Sequence, residues 1–178
     1  MALALASGFG TKLDLLRPFF ISERLDLLLP EVRAGQVWRV VTPVFIHFGV
    51  IHIVFNMLWL WELGGALEQR LGAVALGTMV VGLGVASNLA QYFYQGPGFG
   101  GMSGVVFGLL GYIWVQGHLN PRFGLRLHKP IVIMMLVWFA VCWLGLVGNI
   151  ANMAHTAGLL LGAAWGYVSI KLGRPRSF

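Results

Sequence analysis

Two residues of this sequence have the types needed for nucleophilic attack on a carbonyl group, and both lie in apolar runs. Ser103 follows the glycine-rich segment Gly96 to Met102 and begins one run, and His155 lies near the start of another. A neutral imidazole can accept a serine proton and return it to a leaving amine. If Ser103 begins a helix, the free N–H groups of the helix N-terminus would stabilise an oxyanion formed there. Taken alone, a serine at this position is also explained as a plain N-cap.

His52 and Asn56 are candidate hydrogen-bond donors to such an oxyanion. They are four residues apart in the sequence, so in a helix they share one face. Donors aimed at a developing oxyanion are among the strongest contributions to catalysis. The alternative is that the two side chains bond to each other or cap neighbouring loops.

A zinc site with His47, His52 and His155 as ligands is a more specific alternative to a serine-based site. His47 and His52 are five residues apart, or about 140° around a helix, and no HExxH motif or cysteine ligand supports them. The acids within the apolar runs, Glu62 and Glu68, lie about two and four turns from His52 and Asn56. The pattern therefore favours a Ser–His dyad with no carboxylate, no metal and no cofactor.

The composition indicates that these residues belong to a membrane protein. Hydrophobic residues make up 58% of the chain and charged residues 10%, against roughly 25% charged in an ordinary soluble domain. One helical crossing needs about 20 apolar residues, so 178 residues hold about six crossings and no second soluble domain. The formal charge of +6 does not indicate nucleic-acid binding, because the basic residues flank apolar runs and do not form one polar face.

The apolar runs predict an all-α fold, a polytopic membrane helix bundle. Five full spans are expected, namely Val50 to Leu67, Ala73 to Tyr94, Ser103 to Leu119, Pro130 to Val147 and Ile150 to Ile170. Met1 to Gly10 reads like the end of a sixth span, which predicts a truncated first helix and a natural start upstream. The polar, amphipathic stretch Thr11 to Pro43 is expected to lie at the membrane interface.

Basic residues predict the orientation of the chain. If the spans alternate, one side of the membrane carries Arg70, Arg122, Arg126, Lys129, Lys171, Arg174 and Arg176, and the connections Gln95 to Met102 and Gly148 to Asn149 carry no charge. The positive-inside rule therefore predicts a cytoplasmic C-terminus. We expect residues 1–178 to form a single membrane domain, with 11–43 as the interfacial loop and 171–178 as a cytoplasmic tail.

In this orientation three parallel spans run inward from the outer face, and each has polar residues in its first two turns: His52, Asn56, Ser103, Asn152 and His155. At 1.5 Å per residue, these groups lie within about 10 Å of the outer ends of their helices. Small residues recur along two of the spans, at Gly104, Gly108 and Gly111 and at Ala154, Gly158, Gly162 and Gly166. Such stripes let two helices pack closely. If the stripes face each other, Ser103 and His155 are within hydrogen-bonding reach.

The sequence resembles the rhomboid intramembrane serine proteases of the bacterial type, from Trp38 to about Gly166. The matching motifs, in order, are Trp38-Arg39, His47 to Asn56, Gly64-Gly65, Glu68 to Gly72, Gly101-Met102-Ser103-Gly104, and Ala154 to Gly158 followed by Gly162. The resemblance implies a six-helix core with Ser103 as nucleophile and His155 as general base. It also implies an oxyanion hole formed by His52, Asn56 and the Ser103 backbone N–H.

Further residues are expected to support this site: Gly101, Phe107, Asn152, Trp38 and Arg39. The resemblance implies that Trp38 and Arg39 lie in a membrane-embedded loop after the first helix. Many family members have a tyrosine where this chain has Phe107, so the stacking ring is kept and its hydroxyl is lost. The truncated first helix is the second departure from the family pattern.

Two other classes of function fit these residues less well than a membrane protease. A non-catalytic relative that binds transmembrane segments would lose Ser103 or His155, and both are present. A transporter would need a polar path through the bilayer, but the inner halves of the spans have almost no polar group beyond Glu62. The sequence therefore predicts a serine endopeptidase of the bacterial inner membrane that cleaves transmembrane segments of membrane proteins, with no nucleic-acid or metal partner.

Overall fold

The computed structural model describes residues 2–24, 28–148 and 150–173, and every regular element within these ranges is a helix. Three short helices come first: α1 Ala2–Ala6, α2 Leu13–Leu16 and α3 Pro30–Arg33. The longer helices are α4 Val50–Trp59, α5 Gly65–Leu71, α6 Ala73–Gln95, α7 Ser103–Leu119, α8 Lys129–Trp143 and α9 Asn152–Lys171. The predicted all-α architecture is confirmed. Residues 174–178 of the predicted cytoplasmic tail, 25–27 of the predicted interfacial segment, and 1 and 149 lie outside the described ranges.

Within the described ranges, two helices are long and apolar enough to cross a bilayer. A π-helical turn, Leu60–Gly64, joins α4 and α5 into one apolar helix of 22 residues, and α6 has 23. At 1.5 Å per residue these lengths are about 33 and 35 Å, against a hydrocarbon core of about 30 Å. Large apolar side chains on these helices face outward, with Ile51, Trp61 and Val74 exposed by 75%, 80% and 86%. Such surfaces suit contact with lipid.

The bounds of the predicted spans need two corrections. The first span continues past Leu67 to Leu71, where Gly72 turns the chain at a φ of +87°. The fourth span, predicted to reach Val147, ends at Trp143. Its apolar sequence continues, but the backbone turns at Gly145, which has a φ of +72° and donates its N–H to the Cys142 carbonyl. Apolar character alone therefore overestimates the length of α8.

Helix α7 occupies the centre of the bundle. Its side chains are buried around most of its circumference, with Leu109, Leu110 and Ile113 fully inaccessible. A helix that is apolar on all sides is stable only when other elements surround it. Side chains of the Val50–Leu71 helix and of α6, including Leu67 and Leu83, join α7 in the main hydrophobic core.

Helices α7 and α9 pack at backbone distance through their glycines. A Cβ atom on Gly158 would overlap the Gly104 carbonyl, and one on Gly162 would overlap the Gly108 carbonyl. Glycine is required where two backbones approach this closely. The two small-residue stripes therefore face each other, which is the condition under which the sequence predicts contact between Ser103 and His155.

The segment before α4 consists of short helical turns. None of the described elements between Leu13 and Phe45 exceeds four residues, so none of them is long enough to cross a bilayer. At the N-terminus, α1 is followed by turns in which Phe9 and Lys12 donate to the Ala4 and Ser7 carbonyls. The Phe9 carbonyl then accepts from Gly49, which ties this end of the chain to the start of α4.

Candidate active site

Ser103 is the first residue of α7, and a glycine-rich loop leads into it. Met102 is the N-cap, and the first backbone hydrogen bond of the helix runs from the Val106 N–H to the Met102 carbonyl at 3.0 Å. The Ser103 N–H precedes that bond, so it belongs to the helical N–H groups that have no intrahelical acceptor. Both the hydroxyl and the backbone N–H of Ser103 therefore lie at the open end of the helix.

His155 contacts Ser103 directly, at 2.8 Å between the imidazole Nε2 and the hydroxyl Oγ. His155 is buried in the first turns of α9, and the glycine contacts between α7 and α9 hold the two helices at this spacing. The other imidazole nitrogen, Nδ1, is buried and has no hydrogen-bond partner among the described residues. Within those residues, the serine and histidine form a pair without a carboxylate.

The donor and the acceptor of the Ser103–His155 hydrogen bond are defined if the imidazole is neutral. Nε2 accepts the hydroxyl proton of Ser103 only when its own proton is absent, which places the ring proton on Nδ1. In that tautomer the imidazole is a base aimed at the hydroxyl. The contact therefore has the geometry that general-base activation of a serine requires.

Phe107 packs against the His155 ring from the same helix as Ser103. The ring centroids of Phe107 and His155 are 4.8 Å apart with an interplanar angle of 37°, and the Phe139 ring meets Phe107 edge-on at 5.6 Å. Because Phe107 is four residues after Ser103, both side chains project from one face of α7. The phenyl ring therefore covers one side of the imidazole.

His52 and Asn56 lie on one face of α4, next to Ser103. The Phe48 N–H donates to His52 Nδ1 at 3.3 Å, so in a neutral ring the proton lies on Nε2. Asn56 is buried, and its Nδ2 donates to the His52 carbonyl at 2.9 Å. An amide nitrogen carries two hydrogens, and this bond uses one of them.

Gly101 lies between His52 and Ser103. A Cβ atom at this position would be 2.7 Å from His52 Nε2 and 3.7 Å from Ser103 Oγ, so these two atoms border the same small space. Gly101 also has a φ of +126°, which favours glycine. A side chain here would obstruct the space in front of the serine hydroxyl.

These residues line one cavity of about 940 Å³. Ser103, His155, His52, Asn56 and Phe107 lie on its wall, and apolar side chains of α4 and α8 supply much of the rest, including Phe55, Met135 and Trp138. Phe55 and Trp138 stack across the two helices, with centroids 6.3 Å apart and an interplanar angle of 13°. The cavity is therefore bounded by apolar groups on the side where α4 and α8 meet.

His47 lies just before α4 and outside this wall. Burial lowers the pKa of its imidazole to about 4, with a smaller effect from neighbouring His52, whose ring centroid is 5.1 Å away. His47 is therefore neutral at physiological pH. Among the described residues, no three His, Cys, Asp or Glu side chains lie close enough together to hold a metal ion. The arrangement of the three histidines thus gives no support to the zinc alternative.

Besides Gly101, which borders the space in front of Ser103, three of the predicted supporting residues do not line the cavity. Trp38 is 53% exposed. Arg39 is buried in the loop before α4, where it donates to the Arg17 and Phe20 carbonyls and pairs with Glu23 at 3.0 Å. Asn152 donates from Nδ2 to the Cys142 carbonyl at 3.1 Å, which links the end of α8 to the start of α9.

Sequence reasoning missed Gln91, a buried residue of α6 that also lines the cavity. Its Oε1 accepts hydrogen bonds from the Met153 and Ala154 N–H groups at 3.0 and 3.1 Å. The sequence did contain a signal for Gln91, because it is an amide side chain within an apolar span, four residues before the span ends at Gln95.

The fold and the site define an all-helical membrane protein with a hydrogen-bonded serine and histidine in an apolar cavity. A family described as Rhomboid domain matches residues 34–172. Similar proteins include those named Rhomboid protease GlpG from Salmonella paratyphi A, Salmonella choleraesuis and Salmonella newport, each 42% identical over 143 residues. The match covers 80% of this chain and 52% of each relative, so the chain spans about half the length of the curated relatives it matches.

The chain therefore belongs to the rhomboid family. Family membership and the two apolar helices of spanning length make it an integral membrane protein.

Proposed function

We propose that this protein is a serine endopeptidase that cleaves transmembrane segments of membrane proteins by a Ser–His dyad. The observation that carries the proposal is the 2.8 Å contact between Ser103 Oγ and His155 Nε2 in the wall of an apolar cavity. The relatives named as rhomboid proteases support the same class of activity.

In the first half of the reaction, Ser103 Oγ attacks the carbonyl carbon of the scissile peptide bond. His155 Nε2 takes the hydroxyl proton as the new C–O bond forms. The tetrahedral intermediate then collapses, the C–N bond breaks, and the imidazolium returns the proton to the leaving amine. The product of this half is an ester between Ser103 and the N-terminal part of the substrate.

The oxyanion of the intermediate is stabilised by three donors around Gly101. These are the Ser103 backbone N–H at the N-terminus of α7, the His52 Nε2–H and the second Asn56 Nδ2–H. Such donors are effective because they are fixed before the charge develops and act where little water competes. The lack of a side chain at Gly101 leaves room for the oxyanion.

In the second half of the reaction, water attacks the ester carbon. His155 takes a proton from this water and gives it to Ser103 Oγ as the ester bond breaks, which restores the starting pair. The Phe107 ring keeps the imidazole in one orientation through both proton transfers. This cycle uses only side chains and backbone groups of the chain, with no cofactor.

The substrate reaches the site from the bilayer, between α4 and α8. The Phe55 and Trp138 rings stand at this boundary, and the apolar wall behind them suits an unwound hydrophobic segment. A helical segment hides its carbonyls in hydrogen bonds to the N–H groups four residues further along, so it must unwind before Ser103 can attack.

The orientation of the chain in the membrane follows from the distribution of basic residues. The basic connections favour a cytoplasmic C-terminus, and a bacterial inner membrane suits this orientation. In this arrangement the chain is one membrane domain, the segment 11–43 lies at the interface, 171–178 forms a cytoplasmic tail, and the dyad opens toward the outer leaflet.

The test is hydrolysis of a fluorogenic peptide that contains a transmembrane segment, with purified protein in detergent. Ser103→Ala should lower kcat by about three orders of magnitude or more, because the nucleophile is gone. Thr78→Ala is the control, since Thr78 lies on α6 outside the cavity wall and its hydroxyl donates to its own helix, at the Val74 carbonyl at 2.8 Å. Comparable hydrolysis by the Ser103→Ala variant would refute the proposal.

A further inference from the structure

Gln91 joins α6 to the first turn of α9 through one buried amide. Its side chain is 1% exposed. Oε1 accepts from two consecutive backbone N–H groups, those of Met153 at 3.0 Å and Ala154 at 3.1 Å. On the other side of the amide, Nε2 donates to Gln95 Oε1 at 3.0 Å. Because the α9 groups are donors, the amide oxygen must face them, and this fixes the orientation of the group.

Helix α9 needs such an acceptor because its own N-cap has none. The N-cap is Ala151, and no side chain at that position bonds to the first turn. The first N–H groups of a helix have no intrahelical acceptor, and a side chain at the N-cap ordinarily provides one. Here the acceptor comes from a residue about sixty positions earlier in the chain and on another helix.

The capped N–H groups immediately precede His155. The first turn of α9 contains Asn152, Met153 and Ala154, and the His155 N–H donates to the Ala151 carbonyl at 3.3 Å. A shift of that turn moves the imidazole relative to Ser103, which belongs to a different helix. A misplacement of about 1 Å can cost roughly 100-fold in rate.

We propose that Gln91 is a positioning residue for the dyad: by capping α9 from α6, it holds His155 Nε2 within hydrogen-bonding distance of Ser103 Oγ. This inference rests on the proposed proteolytic function. Gln91 acts through the backbone of α9, so its effect concerns the chemical step more than substrate affinity.

The chain contains a matched control for this experiment. Gln116 is also buried, and its Nε2 donates across helices to the Gly166 carbonyl of α9 at 2.9 Å. Gln116 therefore links α7 to α9, whereas Gln91 links α6 to α9. The Gln116 contact is at Gly166, eleven residues beyond His155. Replacing Gln116 removes a buried interhelical hydrogen bond without touching the turn that presents the histidine.

The test compares Gln91→Leu, Gln91→Asn, Gln91→Glu and Gln116→Leu for peptide hydrolysis and for the rate at which a fluorophosphonate labels Ser103. Gln91→Leu should lower kcat and the labelling rate together by about tenfold or more, with KM within about twofold. Gln91→Asn should have a kcat and a labelling rate between those of the unchanged chain and Gln91→Leu, because its amide oxygen is on a side chain one methylene shorter. Gln91→Glu should retain most of the rate, since a carboxyl oxygen accepts from both N–H groups.

Gln116→Leu should lower thermal stability while keeping kcat within about twofold. Wild-type kcat in Gln91→Leu would overturn the positioning role, and so would wild-type kcat in Gln91→Asn if the leucine variant does not fold. An equal loss of kcat in Gln116→Leu would also overturn it, because the effect would then be general to α9. Absence of both hydrolysis and labelling in the unchanged chain would instead overturn the proposed function, and the inference with it.

Discussion

The Phe107 ring lies 4.8 Å from the imidazole of His155 and is tilted from it by 37°, one helical turn beyond Ser103. The residue that packs against the histidine and the residue that donates a hydrogen bond to it thus come from the same face of α7. The geometry of the pair therefore depends on α7 and α9 remaining in register.

Replacing Phe107 tests whether ring contact holds the imidazole. Phe107→Tyr should keep kcat within about twofold, because the ring remains, whereas Phe107→Leu should lower it by about three- to tenfold, the equivalent of an aromatic contact worth about 0.5–1.5 kcal/mol. Steady-state hydrolysis of the fluorogenic peptide measures both. If the leucine variant matched the tyrosine variant, ring stacking would have no part in positioning His155.

The oxyanion donors should affect kcat more than KM. Asn56→Ala and His52→Ala should each lower kcat by about 100-fold, the usual cost of losing one donor from such a site. Asn88→Ala is the control, because Asn88 is also a buried amide but donates to the Val40 carbonyl, away from the cavity. It should lower the melting temperature and leave kcat near the wild-type value. An Asn56→Ala variant with unchanged kcat would rule out this donor.

The glycine contacts between α7 and α9 should control both stability and activity. Gly162→Ala should destabilise the protein by about 1–3 kcal/mol, because the new methyl group would overlap the Gly108 carbonyl and force the helices apart. Thermal unfolding in detergent and kcat should both report the change.

Gly77→Ala on α6 is the matched control, since a Cβ atom there has nothing within 4 Å. It should leave kcat unchanged and raise stability slightly, by about 0.5–1 kcal/mol, as expected of alanine in a helix interior. If Gly162→Ala behaved like Gly77→Ala, close packing of the two helices would be irrelevant to the site.

The rate at which a transmembrane segment is cleaved should depend on how easily its helix unwinds. A transmembrane segment with Gly or Pro near the cleavage site should be cut much faster than a uniform poly-Leu segment of equal length, because the stable helix keeps its carbonyls hydrogen-bonded. We also expect a small residue before the cut, in view of the glycines around Ser103. Product analysis by mass spectrometry gives both results, and equal cleavage of the two segments would refute the unwinding requirement.

The pairing of Ser103 with His155 could be predicted from the sequence because it follows from helical periodicity. Spans of known direction fix the depth of each polar residue, and glycines at every fourth position identify the faces that can approach. Depth and face together are nearly enough to bring two side chains into contact. The same reasoning predicted the five apolar helical spans and missed the turn at Gly145, since Leu144 to Val147 is as apolar as the helix before it.

The role of Gln91 could not be predicted in this way. A lone amide in a span can bond to its own helix, to a neighbour or to a loop, and periodicity does not distinguish among these. Gln91 Oε1 accepts from backbone N–H groups, which every residue of α9 has. No particular residue type therefore marks the contact in the sequence. The Phe55 and Trp138 stack is similar, because many aromatic pairs could meet across α4 and α8.

Covalent labelling by a fluorophosphonate, with the adduct located by mass spectrometry, tests the Ser103–His155 dyad most directly. We expect one adduct, on Ser103, with loss of peptide hydrolysis in proportion to labelling. In the His155→Ala variant the labelling rate should fall by at least about 1,000-fold, because the base that activates the hydroxyl is gone. Labelling of Ser103 at the wild-type rate without His155, or hydrolysis that persists after Ser103 is fully labelled, would contradict the dyad.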